Sequence, residues 1–350
     1  MAVEFIKKAA QLGILQQSKT SNHWIAPQTA ASNFITHPVD EGSVSPDFGV
    51  TIDELMFQGS NTLMKEYDRK YIDGISGLKY LTYKYSSVPV QHLAAYLVAF
   101  FQKCTEGATT PFAKDISPVN TDVDFAGNNG FLYGIGYSPS GFALTDLMIL
   151  DNALLDTLKF SIDNLANGIK RVVGLDCKWV GNALTPDLTK SGTWVAAPTS
   201  TATFLNNKTL GFTLNLVVGA TTLNAICYRK FEFDGANGVS VPCATIGGKA
   251  NNYRLNPTIK FNIDIPYNTN TKAIVGSFKA GDNVSFDFGN GSGTDSGTIL
   301  FTVANAHLTA NPLEIQDNYH ALRLQVEATK PTAGFSTSFI KYADSVDGGY

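Results

Sequence analysis

The chain has 350 residues, a formal net charge of −4 and only 16% charged residues. That length accommodates two domains with cores of their own, and the lack of a basic excess argues against avid binding of phosphates. Thirty-one glycines and an aromatic share of 11% suit strands and turns, so the expected class is mainly β.

The opening run MAVEFIKKAAQLGILQQ has no charged segment leading into an apolar core and a small-residue cleavage site, so no secretory leader is expected. The longest apolar stretch, 93–101, falls well short of the ~20 residues a membrane helix needs. A soluble protein with no membrane insertion of its own is the expectation. LMFQGSN (55–61) leads into a charged segment, TLMKEYDRKYID (62–73), and then into LKYLTYKY (78–85), a strand apolar or aromatic on both faces.

One helix stands out at 88–106. Ser86 or Ser87 caps its start, Pro89 suits a first turn and Gly107 supplies the left-handed stop. Leu93, Leu97, Phe100, Phe101 and Cys104 form its apolar stripe. The turn-rich run 107–134 reads as an insertion loop. DNALLDTLKFSIDN (151–164) fits a helix in its first half and a strand in its second, where Leu158, Phe160 and Ile162 alternate with Lys159, Ser161 and Asp163. A Thr-, Ser- and Ala-rich stretch, 185–209, is the best linker. Beyond it, IKFNIDIPY (259–267) and LRLQVEA (322–328) alternate cleanly as half-buried strands, and TKAIVGSFKAG (271–281) is a short second helix.

Three weak matches recur in order across the linker. LMFQGSN resembles FEFDGAN at 231–237, an offset of 176, and LKYLTYKYSS resembles IKFNIDIPYN, an offset of 181. DNALLDTLKFSIDN resembles VANAHLTANPLEIQDN at 303–318, aligning Asn152 with Asn305 and Asp163 with Asp317. Because Pro312 interrupts any helix just before LEIQD, the first member reads as a turn leading into the strand LKFSID. Order and spacing point to an internal duplication.

No catalytic constellation emerges. FGNGSGTDSG (288–297) lacks the P-loop and dinucleotide signatures and joins two strands, so it reads as a hairpin loop. Ser138 and Ser140 sit in a Pro-Gly turn without a nucleophile elbow. Asp122 and Asp124 form the one D-x-D spacing, in the insertion loop. Cys104, Cys177, Cys227 and Cys243 and the five histidines lack metal-ligand spacing. No enzyme activity, cofactor or metal is expected.

The order of a strand ending in FQGSN, a polar loop, an alternating strand, a Pro-started helix and then GFALTDLMILDNALLDTLKFSIDNLANGIKRVVGLDCKWVG (141–181) resembles the major tail tube proteins of tailed bacteriophages. ILFTVANAHLTANPLEIQDNYHALRLQVEA (299–328) is similar to their closing strands, and the resemblance spans roughly 50–330. It implies a tail-tube-type β-sandwich or barrel with a flanking helix, duplicated within the chain. The implied organisation is an N-terminal arm (1–40), a first β domain (41–184), the linker (185–209), a second β domain (210–335) and a C-terminal tail (336–350).

The resemblance further implies self-association, sheet edge to sheet edge, into rings that stack as a tube. Duplicated chains would form a homotrimer with pseudo-sixfold symmetry, a homohexamer being the alternative. Other tail proteins are implied partners, double-stranded DNA passes through without specific binding, and the protein belongs to the virion tail after assembly in the host cytoplasm. The charged segment matches the place where such proteins reach the adjacent ring, making Lys65, Glu66, Asp68, Arg69 and Lys70 inter-ring contact candidates. The competing reading is a non-enzymatic β-sandwich adhesin or glycan-binding module with exposed Trp24, Trp179 or Trp194 as stacking platforms.

Overall fold

The computed structural model describes residues 11–17, 33–37, 39–40, 42–47, 50–55, 66–72, 79–107, 112–118, 123–124, 132–138, 148–163, 171–181, 183–186, 193–196, 212–240, 252–253, 255–295, 297–316, 319–329 and 339–344. Its first half runs β1 (Gln11–Gln17), β2 (Asn33–His37), β3 (Ser45–Asp47), β4 (Val50–Leu55), β5 (Glu66–Ile72), β6 (Lys79–Pro89), α1 (Val90–Phe101), β7 (Gln102–Glu106), β8 (Phe112–Pro118), β9 (Val123–Asp124), β10 (Leu132–Ser138), β11 (Met148–Asp163) and β12 (Arg171–Gly181). There follow β13 (Ala183–Pro186), β14 (Thr193–Ala196), β15 (Thr213–Val218), β16 (Thr221–Ile226), β17 (Lys230–Ala236), β18 (Asn252–Tyr253), β19 (Thr258–Pro266), α2 (Ala273–Ala280), β20 (Asn283–Gly289), β21 (Thr298–Leu308), β22 (Leu313–Gln316), β23 (Tyr319–Ala328) and β24 (Ile340–Asp344).

The fold is mainly β, as its composition predicts. A long antiparallel sheet runs β3-β6-β12-β11-β17-β19-β23-β22. A second antiparallel layer runs β16-β15-β20-β21-β24-β8-β7 and is continuous with the first where the end of β21 pairs with β23. Their facing sides meet through aromatic rings: Phe231 stacks on Phe288 with centroids 3.9 Å apart, and Phe261 meets Phe286 edge-on at 5.1 Å. The N-terminal half of β11 leaves the long sheet to pair with β10 and β13, and β1, β2 and β14 extend that ladder.

The same order of pairings occurs twice. In the first half β3 pairs with β6, β6 with β12, β12 with β11, and α1 follows β6 before the β7–β8 hairpin. In the second, β17 pairs with β19, β19 with β23, β23 with β22, and α2 follows β19 before the β20–β21 hairpin. The halves are nevertheless one body, for a single apolar core contains α1, β6, β11 and β12 together with β17, β19, β20, β21 and β23. Gly235 in β17 lets the Phe100 ring of α1 approach so closely that a Cβ there would stand 2.5 Å from it.

Several expectations require correction. The helix is shorter than 88–106, because β6 continues to Pro89 and Gln102, at φ +64°, takes the left-handed position assigned to Gly107. The supposed insertion loop 107–134 contains β8, held between β7 and β24 with Ile116 fully buried, and pairing on both sides makes it a strand. DNALLD is strand throughout, part of the 16-residue β11, and a β-bulge beside Leu155 absorbs its irregular pattern. The offset of 181 between LKYLTYKY and IKFNIDIPY is out of step by one. Leu81 and Tyr83 face the core in β6, and Ile259, Phe261 and Ile263 do so in β19, all odd-numbered, so only an even offset keeps the faces.

The stretches read as linker and tails also contain structure. Part of 185–209 belongs to β13 and β14, and the 1–40 arm supplies β1 and β2. Within 336–350, β24 joins β21 to β8, with Ile340 and Ala343 fully buried.

Phe160 is 3% exposed and stacks on Phe233 at 5.0 Å, whereas Lys159 points to the opposite, solvent face. Phe160→Ala is expected to lower unfolding free energy by about 3–5 kcal/mol and Lys159→Ala by no more than about 0.5 kcal/mol, measured by urea denaturation. Equal losses would contradict the strand.

Candidate functional site: the polar face of the long sheet

The side of the long sheet opposite the aromatic core is built from the alternate residues of its strands. In β6, β12, β11, β17, β19 and β23 each set includes at least one charged residue, and register brings one from each strand into a single row. Lys84 lies opposite Asp176, Asp176 opposite Lys159, Lys159 opposite Asp234, Asp234 opposite Lys260, and Lys260 opposite Glu327. Charge therefore alternates at every step across six neighbouring strands. Nζ–carboxylate distances are 3.2 Å for Lys84–Asp176 and Lys159–Asp234, and 3.8 Å for Lys260–Glu327.

A second group lies beside the row. Arg323 reaches Glu232 at 3.1 Å and Asp264 at 3.8 Å, and Lys230 reaches Glu232 at 2.5 Å. On the other flank Lys178 contacts Asp156 at 3.2 Å and lies 4.5 Å above the Tyr80 ring. The ion pairs of this face thus engage Lys84, Lys159, Lys178, Lys230, Lys260 and Arg323 against Asp156, Asp176, Asp234, Glu232, Asp264 and Glu327, a balance of charge. Opposite charges facing one another across strands stabilise the register, while like charges there would oppose it. Most of these side chains are over a third exposed, so each pair contributes little to stability. A shallow depression of about 320 Å³ lies over the β11–β17 joint between Lys159, Ser161, Lys230, Glu232, Asp234 and Asn262.

At one end of this face Leu154 and Val180 are buried beneath Val239 and Leu255. The segment after FEFDGAN therefore begins and ends against the first half of the chain. Asn237, the last residue of that motif and 3% exposed, donates through Nδ2 to the carbonyls of Phe100 and Leu155, both at 2.8 Å. It ties the end of α1, β11 and β17 together across the middle of the chain.

Beneath the face, Trp179 is fully buried and donates from Nε1 to the Tyr83 hydroxyl at 2.9 Å; that hydroxyl in turn lies 3.4 Å from Tyr96 Oη. This removes Trp179 as a stacking platform for sugars. Its polar atom and both faces are committed to the core. Burial pushes the Tyr83 phenol and the Cys177 thiol above their ordinary ranges, keeping both protonated and uncharged, so Cys177 is no nucleophile.

The other sequence candidates are dispersed. Glu66, Asp68, Arg69 and Lys70 lie on β5, which pairs with β4 in a two-stranded hairpin where Arg69 is opposite Asp53; the expected loop is a strand, and Lys65 lies outside the described residues. Ser138 ends β10 and Asp124 pairs with Asn252 in a short separate ladder, while Ser140, Asp122 and Trp24 lie outside the described residues. FGNGSGTDSG is the β20–β21 hairpin loop, organised by buried Asn290, which accepts from the Ile299 amide at 2.7 Å and donates to the Gly297 carbonyl at 3.1 Å. The alternating charge was missed by local reading because its members are scattered from residue 84 to residue 327. Its only sequence signal is a charge at the polar positions of strands that otherwise alternate.

No protein-family model matches this chain, and no curated protein matches it.

Asn237→Ala leaves two buried carbonyls without their donor and is expected to cost about 1–3 kcal/mol. Hydrogen exchange should localise the loss to the C-terminal end of α1 and the adjoining part of β11. Uniform loss of protection would show that Asn237 is no local clamp.

Proposed function

We propose that this chain is a structural subunit that self-assembles into stacked rings, forming the tube of a bacteriophage tail through which double-stranded DNA leaves the virion. One observation carries the reading: two four-strand modules of like order and direction follow one another in a single sheet, joined edge to edge. A heterologous joint of this kind generates a ring when its rotation closes. The sequence resemblance to tail tube proteins supplies the biological setting, and the internal arrangement supports it independently.

Three chains of eight strands each would close a 24-strand wall with six modules, giving the pseudo-sixfold homotrimer; six chains per ring is the alternative. With strands about 4.8 Å apart the wall is about 37 Å across before tilt widens it. The polar face suits the water-filled side of such a wall. Its cations are already matched by carboxylates, so a passing polyanion gains little from contacting it, whereas unmatched cations would each add salt-dependent affinity. The β4–β5 hairpin, bearing Glu66, Asp68, Arg69 and Lys70, is a separate ladder available for the adjacent ring. The role needs no catalytic group or cofactor. Other tail proteins would meet the ends of the tube, in a virion assembled in the host cytoplasm.

Electron microscopy of the concentrated protein is expected to show rings or tubes with a central channel, and class averages with threefold symmetry and six similar lobes. Folded, dispersed monomers at all concentrations would overturn the proposal. For the channel wall, the wild-type chain should not retain duplex DNA at physiological salt. The triple variant Asp176→Asn, Asp234→Asn, Glu327→Gln should bind it, with a log–log salt slope of about −2 to −3. Tight DNA binding by the wild type would contradict a conduit.

A further inference from the structure

The two ends of the long sheet are unlike, and the chain's internal joint indicates how they fit. Among the described residues β22 pairs only with β23, and β3 only with β6. Leu313, at the start of β22, lies opposite fully buried Leu322 and so is on the core side of the sheet, yet it is 41% exposed. A large apolar side chain on the core side of an edge strand is an unfinished contact.

The repeat identifies its counterpart. Carrying Asn152 onto Asn305 shifts β11 by 153 residues and places Phe160 on Leu313. The ladders then carry over in register. Lys159 opposite Asp176 becomes Pro312 opposite Arg323, where the Arg323 amide does donate to the Pro312 carbonyl at 2.8 Å. Tyr83 opposite Cys177 becomes Ile263 opposite Leu324, and Pro46 opposite Leu81 becomes Phe233 opposite Phe261, all observed pairings. Within the chain, Phe160 faces Phe233 across the joint and is 3% exposed. Its counterpart Leu313 has no Phe233 to cover it. The counterpart of Phe233 is Pro46, on the opposite edge.

We infer that β22 of one copy pairs antiparallel with β3 of a second copy of this chain, Leu313 facing Pro46 and Glu314 facing Ser45, repeating head to tail the joint that β11 makes with β17. This rests on the assembly reading above and deepens it by naming the surface and its register. Pro46 withholds one N–H from its edge, so β3 is a poor template for indiscriminate strand addition, and burial of Leu313 selects the partner.

The test combines Pro46→Cys with Leu313→Cys on a Cys227→Ser background, since Cys227 is exposed. Under mild oxidation the double variant should give an inter-chain disulfide between positions 46 and 313, identified by peptide mapping, in a closed series of reducible oligomers. The single variants should give none of this series. In parallel, Leu313→Asp should keep the wild-type circular dichroism and melting temperature while losing rings by microscopy. Rings without the 46–313 link, or rings undiminished in Leu313→Asp, would overturn the pairing and leave the ring reading standing. Absence of any association would overturn both.

Discussion

The joint between β11 and β17 is the constraint on which this structure depends. Seven consecutive register pairs, from Thr157 with Ala236 to Asp163 with Lys230, fuse the two halves of the chain into one sheet. Once that ladder exists, the halves cannot hold independent cores. Phe160, Phe233 and Phe261 are brought onto one face, α1 of the first half seats Phe100 on Phe233 of the second, and Asn237 of the second half closes the seam by donating to two carbonyls of the first. A duplicated chain with a flexible linker would have shown two bodies. Here β13 and β14, which lie partly or wholly in the linker region, pair with β11 and β2, and the repeat is one of strand order within a shared core.

Period-two alternation divides the energetics of this sheet between its faces. The core side carries stability through aromatic burial, worth about 1.5–3 kcal/mol for a fully buried large side chain. On the polar side, exposed ion pairs contribute far less individually. What the charges do is discriminate. Alternation from Lys84 to Glu327 means that every neighbouring strand presents the opposite sign in that row, so the strand order and register that satisfy the core also satisfy the polar face. Agreement between independent levels of this kind narrows the set of competing pairings. A bulge in β11 serves the same end. It brings Leu158 onto the core side three residues after Leu155, and Phe160 and Ile162 follow by alternation.

How much of this could be read beforehand depended on whether a feature was local. Ile259, Phe261 and Ile263, or Leu322, Leu324 and Val326, announce half-buried strands by alternation alone, and the structure buries each of them. The apolar run of α1 was equally legible, though its end was not. A left-handed Gln102 is chosen by the tight connection into β7, which sequence cannot express. β8 and β24 were hidden because each depends in part on a distant partner: Tyr342 meets Lys114 and Ile340 meets Ile116 across more than two hundred residues. The polar face was hidden for the same reason. A lysine in a strand reads as a solvated side chain, and only the assembled register makes it one member of a row. The one-residue slip in matching β6 to β19 shows how weak similarity fails, since letter likeness aligned Leu81 with Asn262 whereas burial pairs odd positions with odd.

Assembly from such a sheet carries a cost that the edges themselves limit. Any chain that joins copies through strands must avoid joining strands at random before it reaches its partner. The described edges are short, three residues in β3 and four in β22, one carries Pro46, and the other leaves Leu313 exposed on the core side. One such junction buries little and should be weak. A ring changes the balance, because closing it forms the last junction within an object already held together and makes that contact intramolecular. On the assembly reading, short unlike edges therefore favour a soluble subunit on one side and a closed ring on the other, with little stability for open chains between. A long apolar edge, which would pair more strongly, would sacrifice that separation and favour aggregation instead.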